Sequence, residues 1–277
     1  DTLGVLYRAP GAKAFVRVAL PKDADEVGDL APAGGDAIWV AHTGGLARCT
    51  PTGCRAIEAL AGRAVAELLP ERDGDTAWLW LGIEGEGLFR LDAPNEERPR
   101  LSPRLLSREQ GLPNNAIRAL ARWQGALWIG TGRGLARWQD DRLTVYDAAS
   151  GFNDGIVYTL LASTDAQGRP RLRAAQRPGG MIEIAPDGSW VRHGTAVGLP
   201  EDNAFTLIET RVAPNRPSVL WIGMEHSGVA RFEPGNWQAM DERSGLPHRA
   251  LLGLGRIALD AGHEHYWAGT AAGAVIW

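Results

Sequence analysis

The chain has 277 residues, 44% hydrophobic and 22% charged, and its 29 basic and 33 acidic residues give a net charge of −4. These values are ordinary for a folded globular protein and exclude wholesale disorder, and the slight acidic excess excludes the basic footprint of a nucleic-acid-binding domain. Glycine, at 35 residues, is nearly twice as frequent as the roughly 7% average, and the 11 tryptophans outnumber either phenylalanine or tyrosine.

No run of 18 apolar residues occurs, so the sequence predicts no membrane span. The chain begins at Asp1 without a signal peptide, and we expect it to be processed or cut from a longer parent. Any attachment to a membrane is then expected through parts of the parent outside these residues.

The first elements predicted along the chain are two strands, at residues 4–8 and 15–19. They have the character of the third and fourth strands of a unit that then repeats. The repeat consists of an apolar residue, tryptophan, an apolar residue and glycine, followed after a short polar gap by glycine and an apolar residue. Its clearest copy is Leu127-Trp128-Ile129-Gly130-Thr131 with Gly134-Leu135.

Six such anchors follow one another along the chain, at spacings of 41, 48, 45, 48 and 46 residues. They are Trp39, Trp80, Trp128, Arg173, Trp221 and Trp267. A period of about 40–50 residues built from strands and turns is typical of propeller blades. The sequence therefore predicts an all-β fold, a single β-propeller domain over residues 1–277. Its four-stranded antiparallel blades comprise six recognisable repeats plus a partial N-terminal one. That count corresponds to six to seven blades or to an excerpt of a longer array, and we favour the excerpt.

In the third unit, turn residues divide the predicted strands into residues 117–122, 126–131, 135–139 and 143–146. Linkers such as Gly111-Leu112-Pro113 and Gly151-Phe152 join the units, and their Leu or Phe is expected to plug between neighbouring blades. The last unit stops at its third strand, residues 274–277, and residues 15–19 are a candidate for the missing fourth.

The recurrent tryptophans are predicted to be packing anchors between adjacent sheets, because burying an indole removes about 150–250 Å² from water. These structural residues are Trp39, Trp80, Trp128, Trp221 and Trp267. Arg173 takes the place of tryptophan in the fourth unit, which is expected to be locally weaker or adapted to another purpose.

The third unit, from Gly111-Leu112-Pro113-Asn114-Asn115 to Gly134-Leu135-Ala136-Arg137-Trp138, closely resembles the two-component regulator propeller repeat. The resemblance extends over essentially the whole chain and is weakest in the fourth unit. It implies an extracytoplasmic, periplasmic sensor propeller of a bacterial histidine kinase or diguanylate cyclase. Related repeats also occur in cell-surface proteins with other tasks, so the resemblance does not fix the role.

Cys49 and Cys54 flank a tight turn predicted between the third and fourth strands of the first unit. Cysteines facing each other across a hairpin can reach disulfide distance, so we predict a structural disulfide, with two free thiols as the alternative. A disulfide favours an oxidising compartment such as the periplasm.

Polar loop residues predicted to surround the mouth of the central channel vary from unit to unit while the scaffold repeats, which suggests a binding site. They are His42, Thr43, Glu84, Glu86, Asn114, Asn115, Arg133, Asn153, Asp154, Arg177, Glu201, Asp202, Asn203, Glu225, His226, His248 and Arg249. The eight favoured as ligand contacts are His42, Glu84, Asn115, Arg133, Arg177, Glu225, His226 and His248. The alternative is that they are solvated loop residues.

His263-Glu264-His265 has metal-like spacing, but a polar turn is the favoured interpretation, and we predict no metal site and no cofactor. The leading hypothesis is a non-catalytic sensor propeller that binds a small molecule, a glycan or a protein partner and signals to an output domain outside this chain. The alternatives are a cell-surface interaction scaffold, and a propeller lyase or hydrolase using His226 or His248. No nucleic-acid partner is expected, and a homodimer is a further option.

Overall fold

The computed structural model describes residues 4–7, 15–165, 167–210, 218–233, 236–260 and 263–276, and the regular secondary structure of these residues is almost entirely β-strand. The chain divides into two compact units, Asp1–Leu120 and Ala121–Trp277. Among the described residues no helix has the length and apolar character needed to cross a membrane.

The first unit begins with an antiparallel hairpin and continues with two four-stranded sheets, called blades 1 and 2. The hairpin contains β1 (Gly4–Tyr7) and β2 (Val16–Ala19). Blade 1 contains β3 (Val27–Pro32), β4 (Ile38–His42), β5 (Gly45–Thr50) and β6 (Gly53–Ala56). Blade 2 contains β7 (Val65–Asp73), β8 (Thr76–Ile83), β9 (Gly87–Asp92) and β10 (Arg100–Leu101).

Blade 3 starts with a strand that crosses the boundary between the units, and three more blades follow in the second unit. Blade 3 contains β11 (Ile117–Trp123), β12 (Ala126–Thr131), β13 (Leu135–Gln139) and β14 (Arg142–Tyr146). Blade 4 contains β15 (Ile156–Thr164), β16 (Pro170–Arg177), β17 (Gly180–Ile184) and β18 (Trp190–His193). Blade 5 contains β19 (Ala204–Thr210), β20 (Val219–Met224), β21 (Val229–Glu233) and β22 (Asn236–Met240). Blade 6 contains β23 (Leu251–Asp260), β24 (His263–Thr270) and β25 (Gly273–Ile276).

Each blade is an antiparallel meander in which consecutive strands are hydrogen-bonded neighbours. This order defines a β-propeller and confirms the predicted fold class. The strand boundaries of blade 3 match the prediction to within one residue, because glycine and aspartate turns fix where each strand can end.

Residues 15–19 contain strand β2 of the first unit, whereas the last unit of the repeat lies in the second. Strand β2 belongs to a separate two-stranded sheet, in which Gly4 faces Ala19 and Tyr7 faces Val16. The sheet of blade 6 consists of β23–β25. The hypothesis that residues 15–19 supply the fourth strand of blade 6 stays a prediction.

All six repeat anchors lie on the second strand of a blade. Trp39, Trp80, Trp128 and Trp221 are buried, with 1% to 9% of their surface exposed, while Trp267 is only half-buried. Trp39 shares a core cluster with Leu79 and Leu81 of blade 2, and Trp128 shares one with Phe152 and with Leu172 of blade 4. The tryptophans therefore contribute to the core that forms between consecutive blades.

A short 3-10 helix precedes the glycine of each of four interblade linkers. These helices are Arg108–Gln110, Ala148–Ser150, Thr195–Val197 and Glu242–Ser244. Gly111 ends the first of them with a φ of 103°, a left-handed conformation that glycine adopts without steric cost. The next residue in each linker is buried; these residues are Leu112, Phe152, Leu199 and Leu246. This arrangement confirms the predicted plugs.

Arg173 occupies the anchor position of blade 4 and is 4% exposed. Its guanidinium lies 2.9 Å from Glu183 and 3.8 Å from Glu209, and it also donates a hydrogen bond to Ser163. A buried guanidinium must be paired to offset its lost hydration. In blade 4, a network of ion pairs thus stands where the other blades have an indole.

Candidate functional site

Three loops of blades 4 and 5 bring together five polar residues that we call the Arg177 cluster: Arg177, Glu201, Asn203, Glu225 and His226. Arg177 ends β16, Glu201 and Asn203 belong to the linker before β19, and Glu225 and His226 follow β20. All five were among the polar loop residues singled out in the sequence, and three of them were favoured as ligand contacts.

Two hydrogen-bonded pairs organise the cluster. The guanidinium Nη2 of Arg177 lies 2.9 Å from Oε1 of Glu225, while Nδ2 of Asn203 donates to Oε2 of the same carboxylate at 3.1 Å. On the other side, Oε2 of Glu201 accepts the backbone N–H of His226 at 2.9 Å, and Oε1 lies 3.2 Å from Nδ1 of the imidazole. Both carboxylates are thereby held in defined orientations.

Exposure differs sharply between the two carboxylates of the cluster and the side chains of Arg177 and His226. The side chains of Glu201 and Glu225 are 15% and 20% exposed, whereas those of Arg177 and His226 are 40% and 70% exposed. Burial is the largest influence on the pKa of Glu201 and raises it, but hydrogen bonds from His226 and Ser227 outweigh burial and hold the pKa below its ordinary value. Glu201 is therefore an anion at neutral pH.

An aromatic pair adjoins the cluster. The guanidinium carbon of Arg177 lies 5.6 Å from the ring centroid of Phe205, and Phe205 meets Tyr158 edge-to-face at 5.0 Å. Both rings are half-buried. Charged hydrogen-bonding groups next to a half-exposed aromatic surface can fix a ligand's orientation and contact its apolar face.

Phe205 and Tyr158 were missed in the sequence, although a signal for them exists. Each sits at a β-bulge near the start of a blade's first strand. The pairing register shifts between Val157 and Thr159 at Tyr158, and between Ala204 and Thr206 at Phe205. Bulges redirect a side chain. Gly28 and Ala66 sit at the corresponding bulges of blades 1 and 2. An alignment of the repeats at that position separates these small residues from the aromatic ones.

Two further residues of the favoured set form separate ion pairs. Arg133 contacts Asp154 at 2.7 Å and is 63% exposed, and Glu84 contacts Arg118 at 3.1 Å. Neither pair involves a member of the Arg177 cluster, so each belongs to a local contact within its own unit.

His42, Asn115 and His248 have structural contacts that were not predicted. His42 is 1% exposed, and its Nδ1 accepts the backbone N–H of Gly44 at 3.1 Å. Thr131 and Thr270, at the same repeat position, accept an N–H two residues ahead in the same way. This position thus faces the protein interior and caps the turn between the second and third strands, and the role of His42 as a ligand contact stays a prediction.

Asn115 is engaged at both ends of its amide. Its Oδ1 accepts the N–H of Arg108 at 2.7 Å, and its Nδ2 donates to the carbonyl of Gly85 at 3.1 Å. Nδ1 of His248 accepts the N–H of Ala250 at 2.9 Å. These contacts hold loops in place, and both residues remain only predictions as ligand contacts.

Residues 263–265 lie in strand β24 rather than in the expected turn, because His263 pairs with Asp260 and His265 with Ile257. The side chains of His263, Glu264 and His265 lie outside the described part of the structure.

Two cavities in the first unit contain none of the eight favoured residues. One of 490 Å³ is bordered by charged side chains that include Arg55, Glu58 and Arg98. The other, of 200 Å³, has a wall that includes Trp78, together with Pro70 and other prolines. Neither cavity is lined by a residue of the Arg177 cluster.

No protein-family model matches the chain, and no curated protein matches it. Its fold, the β-propeller, is shared with many solved structures. One is the extracellular domain of a protein assigned as the hybrid two component system BT3049 from B. thetaiotaomicron. It is 17% identical over 94% of this chain and 34% of that chain, with a TM-score of 0.74.

The extracellular domain of BT4673 from B. thetaiotaomicron, assigned as a one component or hybrid two component system, is also 17% identical. The match covers 97% of this chain and 33% of that one, with a TM-score of 0.66. An ancestral GH74 enzyme is 9% identical over 88% of this chain and 38% of that chain, with a TM-score of 0.59. The chain thus spans about a third of the length of the BT3049 and BT4673 structures, and these similarities concern the fold.

Proposed function

We propose that this chain is a non-catalytic, ligand-binding propeller of a bacterial signal-transduction receptor. Its ligand engages the Arg177 cluster, and the binding event acts on an output domain elsewhere in the parent protein. The observation that carries the proposal is the contact of the Arg177–Glu225 ion pair with the half-exposed ring of Phe205. The similarity in fold to extracellular domains of proteins assigned as two component systems supports the same role.

An extracytoplasmic location follows from the same proposal. Cys49 and Cys54 are joined by a disulfide across the hairpin of β5 and β6. Disulfides persist in oxidising compartments and are rare in the cytosol. The disulfide therefore supports a domain that works outside the cytoplasm.

A ligand shifts a receptor between two states only by its difference in affinity for them. The Arg177 cluster offers such a difference, because it joins three loops from two blades. A ligand group that replaces Glu225 as the partner of Arg177 also frees the carboxylate that Asn203 holds. The loops that carry Arg177, Asn203 and Glu225 then lose the contacts that connect them.

The proposal is tested by thermal-shift measurements on the purified chain with a panel of organic acids, amino acids and oligosaccharides. A ligand that binds the native state raises the melting temperature. We expect at least one compound to stabilise the wild type and to lose this effect in the variants Arg177→Ala and Phe205→Ala.

Arg133→Ala is the matched control, because Arg133 is also an exposed arginine paired with a carboxylate in a polar loop. It should respond to the compound as the wild type does. A compound whose effect survives in both Arg177→Ala and Phe205→Ala, or a panel without any stabilising compound, would contradict the proposed site.

A further inference from the structure

Three side chains of the Arg177 cluster present donor atoms that converge on one point. They are a carboxylate oxygen of Glu201, a carboxylate oxygen of Glu225 and a ring nitrogen of His226, all within 4.8 Å of one another. Nδ1 of His226 lies 3.2 Å from Oε1 of Glu201 and 3.9 Å from Oε2 of Glu225. The set therefore consists of one nitrogen and two oxygen donors.

These separations match the spacing of ligands around a small cation. Zinc binds imidazole nitrogen and carboxylate oxygen at about 2.0–2.2 Å, so two ligands at a tetrahedral angle lie about 3.3–3.5 Å apart. The 3.2 Å separation is already at this spacing, and the 3.9 Å separation closes with a small rotation of the imidazole. His226 has freedom for that rotation because 70% of its side chain is exposed.

The charges of the cluster also favour a cation. Glu201 and Glu225 carry two negative charges, and Arg177 pairs with Glu225 alone. An imidazole that ligates a metal is neutral, so the two largely buried carboxylates exceed the single guanidinium by one negative charge. A divalent cation bound between Glu201 and Glu225 offsets that excess and leaves the site with a net charge of +1.

Groups around the three donors fix their orientation as outer ligands do in metal sites. Arg177 holds Oε1 of Glu225, which leaves Oε2 turned toward His226. The backbone N–H of His226 holds Oε2 of Glu201, which leaves Oε1 facing the imidazole. Each carboxylate thus presents one oxygen to the imidazole, and that oxygen of Glu225, Oε2, also accepts the hydrogen bond from Asn203.

We propose that Glu201, Glu225 and His226 form a binding site for one divalent transition-metal cation of the zinc class. Imidazole favours zinc, copper, nickel and iron over magnesium and calcium, which select all-oxygen sites. Three protein ligands leave a fourth position open, as in metal sites that exchange a water for a ligand. The inference rests on the proposed function only in that the open position would receive a donor atom of the sensed ligand.

Isothermal titration of the chelator-treated chain with zinc chloride tests the site. We expect one equivalent to bind with a dissociation constant below roughly 100 µM, and magnesium and calcium chloride to give no binding in that range. Cobalt(II) should give visible absorption bands typical of four-coordination, and zinc should remove them.

The variants His226→Ala and Glu201→Gln should each weaken zinc binding by at least about tenfold. His248→Ala is the matched control, since His248 is also a loop histidine, with Nδ1 bonded to a backbone N–H. It should bind zinc as the wild type does, and so should the double variant His263→Ala/His265→Ala. A melting curve of each variant verifies that it is folded.

Unchanged zinc affinity in both His226→Ala and Glu201→Gln, or the absence of a zinc equivalent in the wild type, overturns the metal site. The compound screen, repeated with chelator and with zinc, separates this failure from that of the sensor proposal. If a compound stabilises the wild type but not Arg177→Ala, and the chain does not bind zinc, the sensor proposal is supported and the metal site is rejected. If the chain binds zinc with the expected variant pattern but no compound stabilises it, the metal site is supported and the sensor proposal is rejected.

Discussion

The carboxylate of Asp29 on β3 accepts the backbone N–H of Leu68 on β7 at 2.9 Å, which links the first strands of two consecutive blades. Glu67 does the same one blade further on, where its Oε1 accepts the N–H of Leu120 at 3.1 Å. Both acidic residues directly follow a β-bulge. Thr159, which follows the bulge of blade 4, donates to the carbonyl of Phe205 at 2.7 Å. The bulge thus places a polar side chain between strands that belong to different sheets.

The first prediction concerns Glu67 and pH. Burial raises the pKa of Glu67 well above its ordinary value, and the nearby charge of Asp29 raises it further, while the N–H of Leu120 lowers it. A pKa that is higher in the folded state adds stability below the unfolded-state value of about 4.3, and this stability is lost as the pH rises through the folded-state pKa.

Glu67→Gln should therefore melt at a higher temperature than the wild type at pH 8, and the difference should shrink toward pH 4.5. Each unit of pKa increase corresponds to about 1.4 kcal/mol at high pH. The exposed Glu58→Gln serves as the control and should show no such trend. The increase in melting temperature that Glu67→Gln gives at pH 8 should also be smaller in an Asp29→Asn background, because the charge of Asp29 contributes to the raised pKa of Glu67. A Glu67→Gln variant that is less stable than the wild type at pH 8 would contradict the argument.

The second prediction concerns Trp128. Its indole is 2% exposed and belongs to a chain of aromatic contacts with Trp123 and Tyr146, at ring-centroid distances of 5.8 Å and 5.5 Å. Its buried Nε1 has no hydrogen-bond partner among the residues that the structure describes. Trp128→Ala should lower the free energy of unfolding by roughly 3–5 kcal/mol, as measured by denaturant titration. Trp128→Phe should lose markedly less unfolding free energy than Trp128→Ala, because it keeps an aromatic ring and gives up no hydrogen bond. An unchanged midpoint in Trp128→Ala would refute the packing role.

The third prediction concerns the charged anchor of blade 4. Removing Arg173 takes the paired cation from Glu209 and leaves Glu183 with Arg171 alone among the described residues, so Arg173→Ala should cost about 3–5 kcal/mol in unfolding free energy. Arg169→Ala, in the same blade, should cost at most about 1 kcal/mol, because its ion pair with Asp165 involves a side chain that is 62% exposed. Equal losses in the two variants, measured by urea denaturation, would show that burial of Arg173 does not determine its contribution.

The fourth prediction concerns the disulfide. Cys49 and Cys54 are directly opposite on β5 and β6 and are the only two cysteines of the chain. Closing so short a loop stabilises the fold by roughly 2 kcal/mol in the chain-entropy model, so Cys49→Ser/Cys54→Ser should lose about that amount. Thiol titration of the denatured, unreduced chain should find no free thiol, and reduction should release two. Two thiols before reduction would rule out the bond.

The fold was largely readable because the repeat places the same residue types at the same structural positions. Turn glycines and aspartates predicted the strand boundaries of blade 3, and the linker residues Leu112 and Phe152 were correctly predicted as plugs. Arg173 could be recognised as an exception from the sequence. Its partners could not, because Glu209 lies 36 positions away on another blade.

The candidate site was only partly readable. Sequence spacing identified loop residues but not which way they face, so His42 was grouped with accessible residues although its ring is buried. Asn115 was predicted as a ligand contact, and the structure shows that both ends of its amide bind backbone groups. A hydrogen bond needs its two atoms within a few tenths of an ångström of the right distance, and the order of residues along the chain carries no such information.

Local and periodic properties of this protein were determined by the sequence itself: the blades, the indole anchors, the linker turns and the cysteine hairpin. These depend on contacts between residues close in the chain or at equivalent positions of the repeat. The tertiary structure alone decided that Arg177, Glu225 and His226 meet beside Phe205, and that Asp29 and Glu67 link neighbouring strands. Such encounters depend on how one sheet packs on the next and on where a bulge turns a side chain, which only the folded chain determines.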